Sequence, residues 1–359
     1  MRTIEWNPDR QQVQMIDQRL LPGRLEIVYL QTYQEVATAI SDMVVRGAPA
    51  IGVSAAFGLA LAARQSSASS VDGMRKEIQT AAEVLRRARP TAINLGWALD
   101  RMLAGLDAAA PQTVGQGQAI LLQLAQQMAD EDVAINQQIA RNGAELIQDG
   151  DTIIHHCNTG ALATVDWGTA LGVIRMAHEQ GKKIQVLVDE TRPRLQGARL
   201  TAWELDQYQI PYEIIPDNAA GYLLRCGRAQ KVLFGADRVA ANGDVANKIG
   251  SYMLALAAFD NDIPVYSVFP SSTADLSVPD GRAIPIEERD PGEVLNIQID
   301  GERVAPLGAR ACNPAFDITP HRLFTGLVTE RGVIYPPFLV NLPRILRRTS
   351  KITSRKTFP

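Results

Sequence analysis

One of the three cysteines stands where a reactive group would be useful. Cys157 follows the short apolar run 152–154 and opens the tetrapeptide Cys-Asn-Thr-Gly. A thiolate is a base or nucleophile, and nearby cations or helix N-termini lower its pKa. Cys157 is therefore a candidate catalytic residue, with a small buried core residue as the alternative. Cys226 and Cys312 lack this setting, and we assign them no role in chemistry.

Carboxyl groups follow other short apolar runs of the chain in the same way. Asp237 comes after the run 231–234 and is a candidate general acid or base, with a turn or helix cap as the alternative. Ligands of open α/β sheets bind at the carboxyl ends of the strands. We therefore expect one crevice to collect the side chains that follow these runs: Cys157, Glu190, Asp217 and Asp237.

Cationic residues beside predicted helix starts are candidates for binding a phosphate. Backbone N–H groups at a helix start and a nearby guanidinium or ammonium can together hold an anion. Three such places occur: Arg46-Gly47-Ala48 before Pro49, Arg89 before Pro90, and Asn247-Lys248 at the start of an apolar helix. Taken singly, each cation is also consistent with a solvated surface residue.

The sequence disfavours a metal or a nicotinamide cofactor. His155 and His156 are adjacent, so in a strand their side chains point to opposite faces and suit joint metal binding poorly. The chain has no Gly-x-Gly-x-x-Gly, no Walker loop and no cysteine cluster with metal-ligand spacing. We expect neither a metal nor a cofactor.

The elements that must position these residues change in kind along the chain. Two short strands, at 13–17 and 25–30, precede a helical region at 33–106, a joint at 107–118 and a long helix at 119–147. After that, short apolar runs alternate with helical segments, which is typical of a parallel α/β sheet. The predicted runs are 152–154, 184–188, 212–215, 231–234 and 265–268.

We therefore predict an α/β protein with two domains. Residues 1–127 form a small, mainly helical domain with short strands. Residues 128–343 form a Rossmann-like domain with a parallel sheet flanked by helices. Residues 344–359 contain six basic and no acidic residues, and we expect them to form a disordered basic tail.

Composition narrows the class of protein. The 359 residues carry 36 Lys+Arg and 39 Asp+Glu, for a net charge of −3, and the body before the basic tail is more acidic still. This argues against a broad nucleic-acid surface. The longest uncharged apolar stretch, 47–63, is too short and glycine-rich to span a membrane. The odd cysteine count and the lack of a secretory signal favour the cytoplasm.

Collinear motifs make the chain resemble a known family. The segments 46–52, 89–95, 157–160, 190–193, 196–201, 235–238, 242–250 and 313–317 are similar to motifs of the methylthioribose-1-phosphate isomerases. The similarity runs from about residue 2 to 337. It implies an aldose–ketose isomerase that converts 5-methylthio-D-ribose 1-phosphate to 5-methylthio-D-ribulose 1-phosphate in methionine salvage, a route of methionine biosynthesis. The family is generally homodimeric.

The resemblance also implies roles for individual residues. By position, Cys157 and Asp237 match the catalytic cysteine and aspartate of the family. The matching substrate-binding positions are Arg46, Gly47, Ala48, Arg89, Gln196, Asn247 and Lys248. The anomeric phosphate blocks a free aldehyde, so Asp237 would protonate the ring oxygen and must itself be protonated near neutral pH. Cys157 would act as base for an enolate route or stabilise a hydride shift.

Two alternatives remain open from the sequence. The fold is similar to that of regulatory subunits of initiation factor 2B, which are interaction proteins, although Cys157 and Asp237 favour an enzyme. Among enzymes, the substrate could instead be ribose 1,5-bisphosphate or 5-deoxyribose 1-phosphate. A second phosphate would need additional cations, where a methylthio group needs an apolar wall.

Overall fold

A computed structural model describes residues 2–90 and 92–346. Its helices are α1 Tyr33–Ser41, α2 Ala48–Gln65, α3 Val71–Ala88, α4 Ile93–Ala109, α5 Val114–Ala144, α6 Ala170–Glu179, α7 Ala202–Gln207, α8 Ala220–Arg225, α9 Ser251–Asp260, α10 Gly292–Leu295 and α11 Phe338–Leu346. Its strands are β1 Ile4–Asn7, β2 Gln12–Ile16, β3 Ile27–Leu30, β4 Thr152–His155, β5 Gln185–Asp189, β6 Tyr212–Ile215, β7 Lys231–Phe234, β8 Arg238–Ala240, β9 Val245–Lys248, β10 Val265–Val268, β11 Ala274–Asp275, β12 Gln298–Ile299, β13 Glu302–Arg303, β14 Phe316–Thr319, β15 Gly326–Thr329 and β16 Gly332–Ile334.

These elements form two compact units. The first unit comprises the described residues up to Gln137 together with 158–172 and 199–208. The second comprises 138–157, 173–198 and the described residues from Gln209 onward.

The first unit combines a small sheet with a helical core. Strands β1, β2 and β3 form an antiparallel meander. Helix α2 is rich in Ala and Gly and is buried on all sides from Ala50 to Ala63, as expected of a helix that is apolar all round. Helix α3 instead buries one face, through Met74, Ile78 and Leu85 at helical spacing.

The second unit is built on a seven-stranded sheet in the order β16-β15-β10-β7-β4-β5-β6. All neighbouring strands are parallel except β16, which pairs antiparallel with β15. Taken in chain order, the six parallel strands have the Rossmann arrangement 3-2-1-4-5-6. The fold class predicted from the sequence is therefore confirmed.

The start of helix α9 differs from the prediction. Asn247 and Lys248 do not open the helix; they end strand β9, which pairs with β14 through Lys248 opposite Phe316. Helix α9 begins at Ser251, after Gly250 in a left-handed conformation with φ of 102°. The prediction failed because the apolar spacing after Lys248 continues the helix pattern, whereas the pairing with β14 depends on residues almost seventy positions away.

The C-terminal segment is only partly described. Arg344, the first residue of the predicted basic tail, lies in helix α11. Residues 347–359 lie outside the described part of the chain. Within the described part, no helix is both long and apolar enough to cross a membrane.

Candidate functional site

Cys157 and Asp237 lie at the carboxyl ends of two neighbouring strands. β4 pairs with β7 through His155 opposite Leu233, and the two residues follow these strands closely. Because β5 and β6 continue on the far side of β4, the strand order reverses between β4 and β7. This reversal is the place where open α/β sheets bind ligands. Cys157 lies next to this reversal of strand order, and only 7% of the residue is exposed.

The loop after β5 holds the backbone of Cys157. The N–H of Cys157 donates to the Thr191 hydroxyl at 2.9 Å, and that hydroxyl donates to the carbonyl of Asp189 at 2.9 Å. Asp217, after β6, fixes the same loop by accepting the N–H groups of Thr191 and Arg192, each at 2.7 Å. The structure thus joins the ends of β4, β5 and β6.

His156 and Asp189 form a buried pair beside Cys157. His156 Nδ1 lies 2.8 Å from Asp189 Oδ2, and both side chains are 1% exposed. Burial alone would lower the pKa of His156, but the hydrogen bond and charge of Asp189 outweigh it, so the pKa is raised. Burial raises the pKa of Asp189 to about 6. Sequence reasoning considered His156 only as a metal ligand and did not find this pair.

Potential metal ligands do cluster here. One ligand atom each of His156, Asp189 and Asp217 lie within 4.8 Å of one another. These atoms already serve other bonds, however, because His156 is paired with Asp189 and both Asp217 oxygens accept backbone N–H groups. A cation at this place would have to displace those bonds.

Gln196 presents an open acceptor. It is buried, and its Oε1 has no hydrogen-bond partner within the described residues. Gly197 follows it against the β5 end, where an added Cβ would lie 1.7 Å from the Asp189 carbonyl oxygen. Because a buried polar atom normally has a partner, Gln196 Oε1 is suited to accept from a ligand.

Asn247 and Lys248 are buried at the end of β9. Lys248 Nζ donates to the Ala315 carbonyl at 2.8 Å and lies 4.4 Å from the centre of the Phe316 ring. Asn247 Nδ2 donates to the Ser251 hydroxyl at 2.8 Å. These contacts hold a buried ammonium group, and its positive charge also interacts with the carboxyl group of Asp317 on β14.

In the first unit, Arg46, Gly47 and Ala48 lead into helix α2. Gly47 is the N-cap, with φ of 95°, and Ala48 is the first helical residue. An added Cβ on Gly47 would lie 2.2 Å from the Ala163 carbonyl oxygen, so this close backbone approach requires glycine. The structure therefore gives Arg46 a fixed backbone beside a helix N-terminus.

A buried network holds the Arg46 guanidinium. Arg46 donates to Oδ1 of Asn158 at 2.5 Å and to its carbonyl at 2.9 Å. Asn158 Nδ2 in turn donates to Glu204 Oε1 at 2.7 Å. Burial raises the pKa of Glu204 to about 7, although the bond from Asn158 opposes the rise. Glu204 was not predicted from the sequence, because it does not lie in a recognisable motif.

The predicted site residues are thus divided between the two units. Cys157, Gln196, Asp237, Asn247 and Lys248 lie in the second unit. Arg46, Gly47, Ala48 and Arg89 lie in the first, with Arg89 half-buried directly after helix α3.

The chain was compared with known proteins. The model of the initiation factor 2 subunit family matches residues 44–336. A methylthioribose-1-phosphate isomerase of Synechococcus sp. is 53% identical over 340 residues, which cover 93% of this chain and 95% of the relative.

Two solved structures are similar over nearly the whole chain. A 5-methylthioribose 1-phosphate isomerase from Pyrococcus horikoshii OT3 is 44% identical with a TM-score of 0.89, covering 96% of this chain and 95% of that one. A structure described as translation initiation factor eIF-2B, subunit delta, from A. fulgidus is 41% identical with a TM-score of 0.86, covering 96% and 99%. On this evidence, the chain belongs to the methylthioribose-1-phosphate isomerase family, within the wider initiation factor 2 subunit family.

Proposed function

We propose that the protein is an aldose–ketose isomerase that converts 5-methylthio-D-ribose 1-phosphate to 5-methylthio-D-ribulose 1-phosphate in methionine salvage. The observation that carries the proposal is the placement of Cys157 and Asp237 on either side of the strand-order reversal, in a chain 53% identical to a methylthioribose-1-phosphate isomerase. A thiol and a carboxyl group together can move two protons, as ring opening and isomerisation require.

The cationic residues are assigned to the phosphate of the substrate. Arg46 and Arg89 would donate to phosphate oxygens, with the backbone of Gly47 and Ala48 at the start of helix α2. Lys248 would also help to fix the phosphate, and all three cations would offset negative charge that develops during the reaction.

The neutral polar groups suit the sugar. Gln196 Oε1, which has no partner within the described residues, would accept from a sugar hydroxyl. Asn247 is buried beside Lys248 and would supply a second polar contact.

The chemistry starts with ring opening. Asp237 would donate a proton to the ring oxygen as the bond from that oxygen to C1 breaks. One hydrogen then moves from C2 to C1, the C2 hydroxyl loses its proton, and the C2 carbonyl of the ketose forms. Hydrogen moves only within the substrate and to and from these side chains, so the reaction needs no cofactor. The negative charge that develops on oxygen during the transfer would be offset by the cationic residues of the site, Lys248 among them.

The route of the hydrogen can be measured directly. If Cys157 acts as base through an enolate, reaction in D₂O gives ketose with deuterium at C1. If the hydrogen moves as hydride, the ketose made in D₂O carries no deuterium at C1.

We also propose a homodimer in the cytoplasm that binds neither nucleic acid nor membrane. Helix α9 exposes Met253, Leu256 and Phe259 at helical spacing, a face that a second copy would cover. Analytical ultracentrifugation tests this, because Met253→Glu should give monomers. We further propose that the domain boundaries lie at residues 127 and 343. Limited proteolysis tests these boundaries.

The assignment is tested by offering the purified protein three substrates: 5-methylthioribose 1-phosphate, 5-deoxyribose 1-phosphate and ribose 1,5-bisphosphate. We expect kcat/KM to be highest for the first. A preference for either of the others would replace the proposed substrate. No ketose from any of them would overturn the isomerase and favour a regulatory protein.

A further inference from the structure

We infer that His156 is a positioning residue, held as an imidazolium between Asp189 and the carbonyl of Ile249, that fixes the backbone carrying Cys157 and Lys248. The kinetic part of this inference rests on the proposed isomerase function. The structural part, the protonation of the ring, does not depend on it.

The two partners of the His156 ring are both acceptors. Nδ1 lies 2.8 Å from Asp189 Oδ2, and Nε2 lies 2.9 Å from the carbonyl oxygen of Ile249. A carbonyl can only accept, so Nε2 carries a hydrogen. An ionised Asp189 also only accepts, so Nδ1 carries one as well, and a ring with two N–H groups is an imidazolium.

The ring joins segments that carry predicted site residues. His156 directly precedes Cys157, and Ile249 directly follows Lys248. A single side chain therefore links the end of β4 to the end of β9. Cys157 is held from its other side by the Thr191 hydroxyl, which donates to the Asp189 carbonyl. A shift of the ring would consequently displace the backbone at both residues.

The chain leaves room for the ring at the start of helix α9. Gly250 lies against it, and an added Cβ there would come within 2.9 Å of His156 Cε1. Gly250 also adopts a φ of 102°, so glycine is required twice over. The backbone is thus shaped around the imidazole.

Charges from the surrounding elements favour the imidazolium. Asp189 ends β5 and Asp217 follows β6, and both raise the pKa of His156. Asp317 on β14 also interacts with the charge of His156, and with Lys248 of β9.

The other titratable groups near His156 are consistent with a positive charge on its ring. His155 precedes His156 at the end of β4, and its Nδ1 lies 2.9 Å from the Leu233 carbonyl oxygen. Burial lowers the pKa of His155 to about 3, so that ring is neutral. Glu190 adds a negative charge near Asp189. A buried charge is tolerated when it is paired and hydrogen-bonded in this way.

The protonation state is tested by ¹⁵N NMR of histidine side chains in the full-length protein at pH 7, with the His156 ring assigned through its own backbone amide. We expect both ring nitrogens to carry hydrogen. One unprotonated nitrogen would place the shared proton on Asp189 and overturn the imidazolium. This outcome is independent of whether the protein is an isomerase.

The positioning role is tested with His156→Gln and Asp189→Asn. We expect kcat to fall at least about tenfold, with KM changed less than about threefold, because groups that react are misplaced while the phosphate contacts of the first unit remain. His321→Gln is the matched control, since His321 Nδ1 also lies 2.8 Å from a carboxylate, that of Asp244, but the ring is half-exposed.

The NMR and kinetic results test the protonation of His156 and its positioning role separately. Unchanged kcat in a folded His156→Gln protein would overturn the positioning role, as would an equal loss in His321→Gln. If the wild-type protein has no isomerase activity, the proposed function fails while the NMR result still decides the pairing. If neither variant folds, a neutral His156 ring in the wild-type protein overturns the inference and an imidazolium supports it.

Discussion

Cys157 and Thr191 are hydrogen-bonded to each other while both have positive φ angles, 69° and 63°. Positive φ is uncommon outside glycine, and for a β-branched residue such as Thr191 it is a genuine outlier. Each such residue costs on the order of 1–3 kcal/mol and persists only where the surroundings enforce it. The contact between them therefore gives the Thr191 hydroxyl a defined task, which is to hold the turn that presents the Cys157 thiol.

Replacing Thr191 tests this task. In Thr191→Val the side chain keeps its shape but loses the hydroxyl, so the N–H of Cys157 is left buried without that acceptor. We expect a loss of about 1–3 kcal/mol in the free energy of unfolding and a fall of about tenfold in kcat. Thr191→Ser keeps the hydroxyl and should retain most of both. Equal kcat values in the Val and Ser variants would contradict the role of the hydroxyl.

The two proposed catalytic groups are tested by removal. Cys157→Ala and Asp237→Asn should each lower kcat by about a hundredfold or more, the range over which positioned acid–base groups act, with the circular dichroism spectrum unchanged. Cys226→Ser is the control, because Cys226 is an exposed free thiol. Turnover near that of the wild-type protein in either active-site variant would refute the assignment.

Arg46 is expected to act mainly in binding. Its guanidinium is held by Asn158 and is assigned to the substrate phosphate, which is bound before and during reaction. Arg46→Ala should therefore raise KM by about tenfold or more with a smaller change in kcat. Steady-state kinetics beside Arg87→Ala, which removes an exposed arginine of helix α3, provide the comparison. An unaltered KM would remove Arg46 from the phosphate site.

Substitution of Gly47 tests a close approach between two backbone segments. A methyl group there meets the Ala163 carbonyl oxygen at 2.2 Å, and φ is 95°. Gly47→Ala should lower the free energy of unfolding by more than about 1 kcal/mol and weaken substrate binding. Gly115→Ala, in helix α5 with no atom within 4 Å of the added methyl group, should be neutral or stabilising. Similar melting temperatures for the two variants would contradict the close approach.

Much of the sheet was predictable because its strands are short, continuous and apolar. The predicted runs 212–215, 231–234 and 265–268 coincide with β6, β7 and β10. Strands β8 and β9 were missed, since they are brief and contain polar residues such as Lys248. They pair with each other in a sheet separate from the seven-stranded one, and their outer partners β11 and β14 are distant in the chain, which local periodicity does not report.

Within the site, residues with a motif were easier to find than those that support them. Cys157 was singled out from its place after a strand. Asp189 was not, because its pairing with His156 depends on the register of two parallel strands. Glu204 reads as an ordinary helical glutamate, and only the tertiary structure turns it toward Asn158.

Glu204 also makes the stability of the protein depend on pH. Burial raises its pKa from 4.5 to about 7 in the folded protein, so between these values the unfolded chain loses the proton first. The free energy of unfolding that Glu204 contributes is therefore greatest below about pH 4.5 and falls as pH rises to about 7, by at most about 3 kcal/mol. Glu204→Gln should be less stable overall, since its amide group faces backbone N–H donors, but it should lack this fall. Urea unfolding at several pH values measures both, with the exposed Glu83→Gln as control; equal pH slopes in the wild-type and Glu204→Gln proteins would show that this carboxyl group ionises as readily in the folded protein as in the unfolded chain.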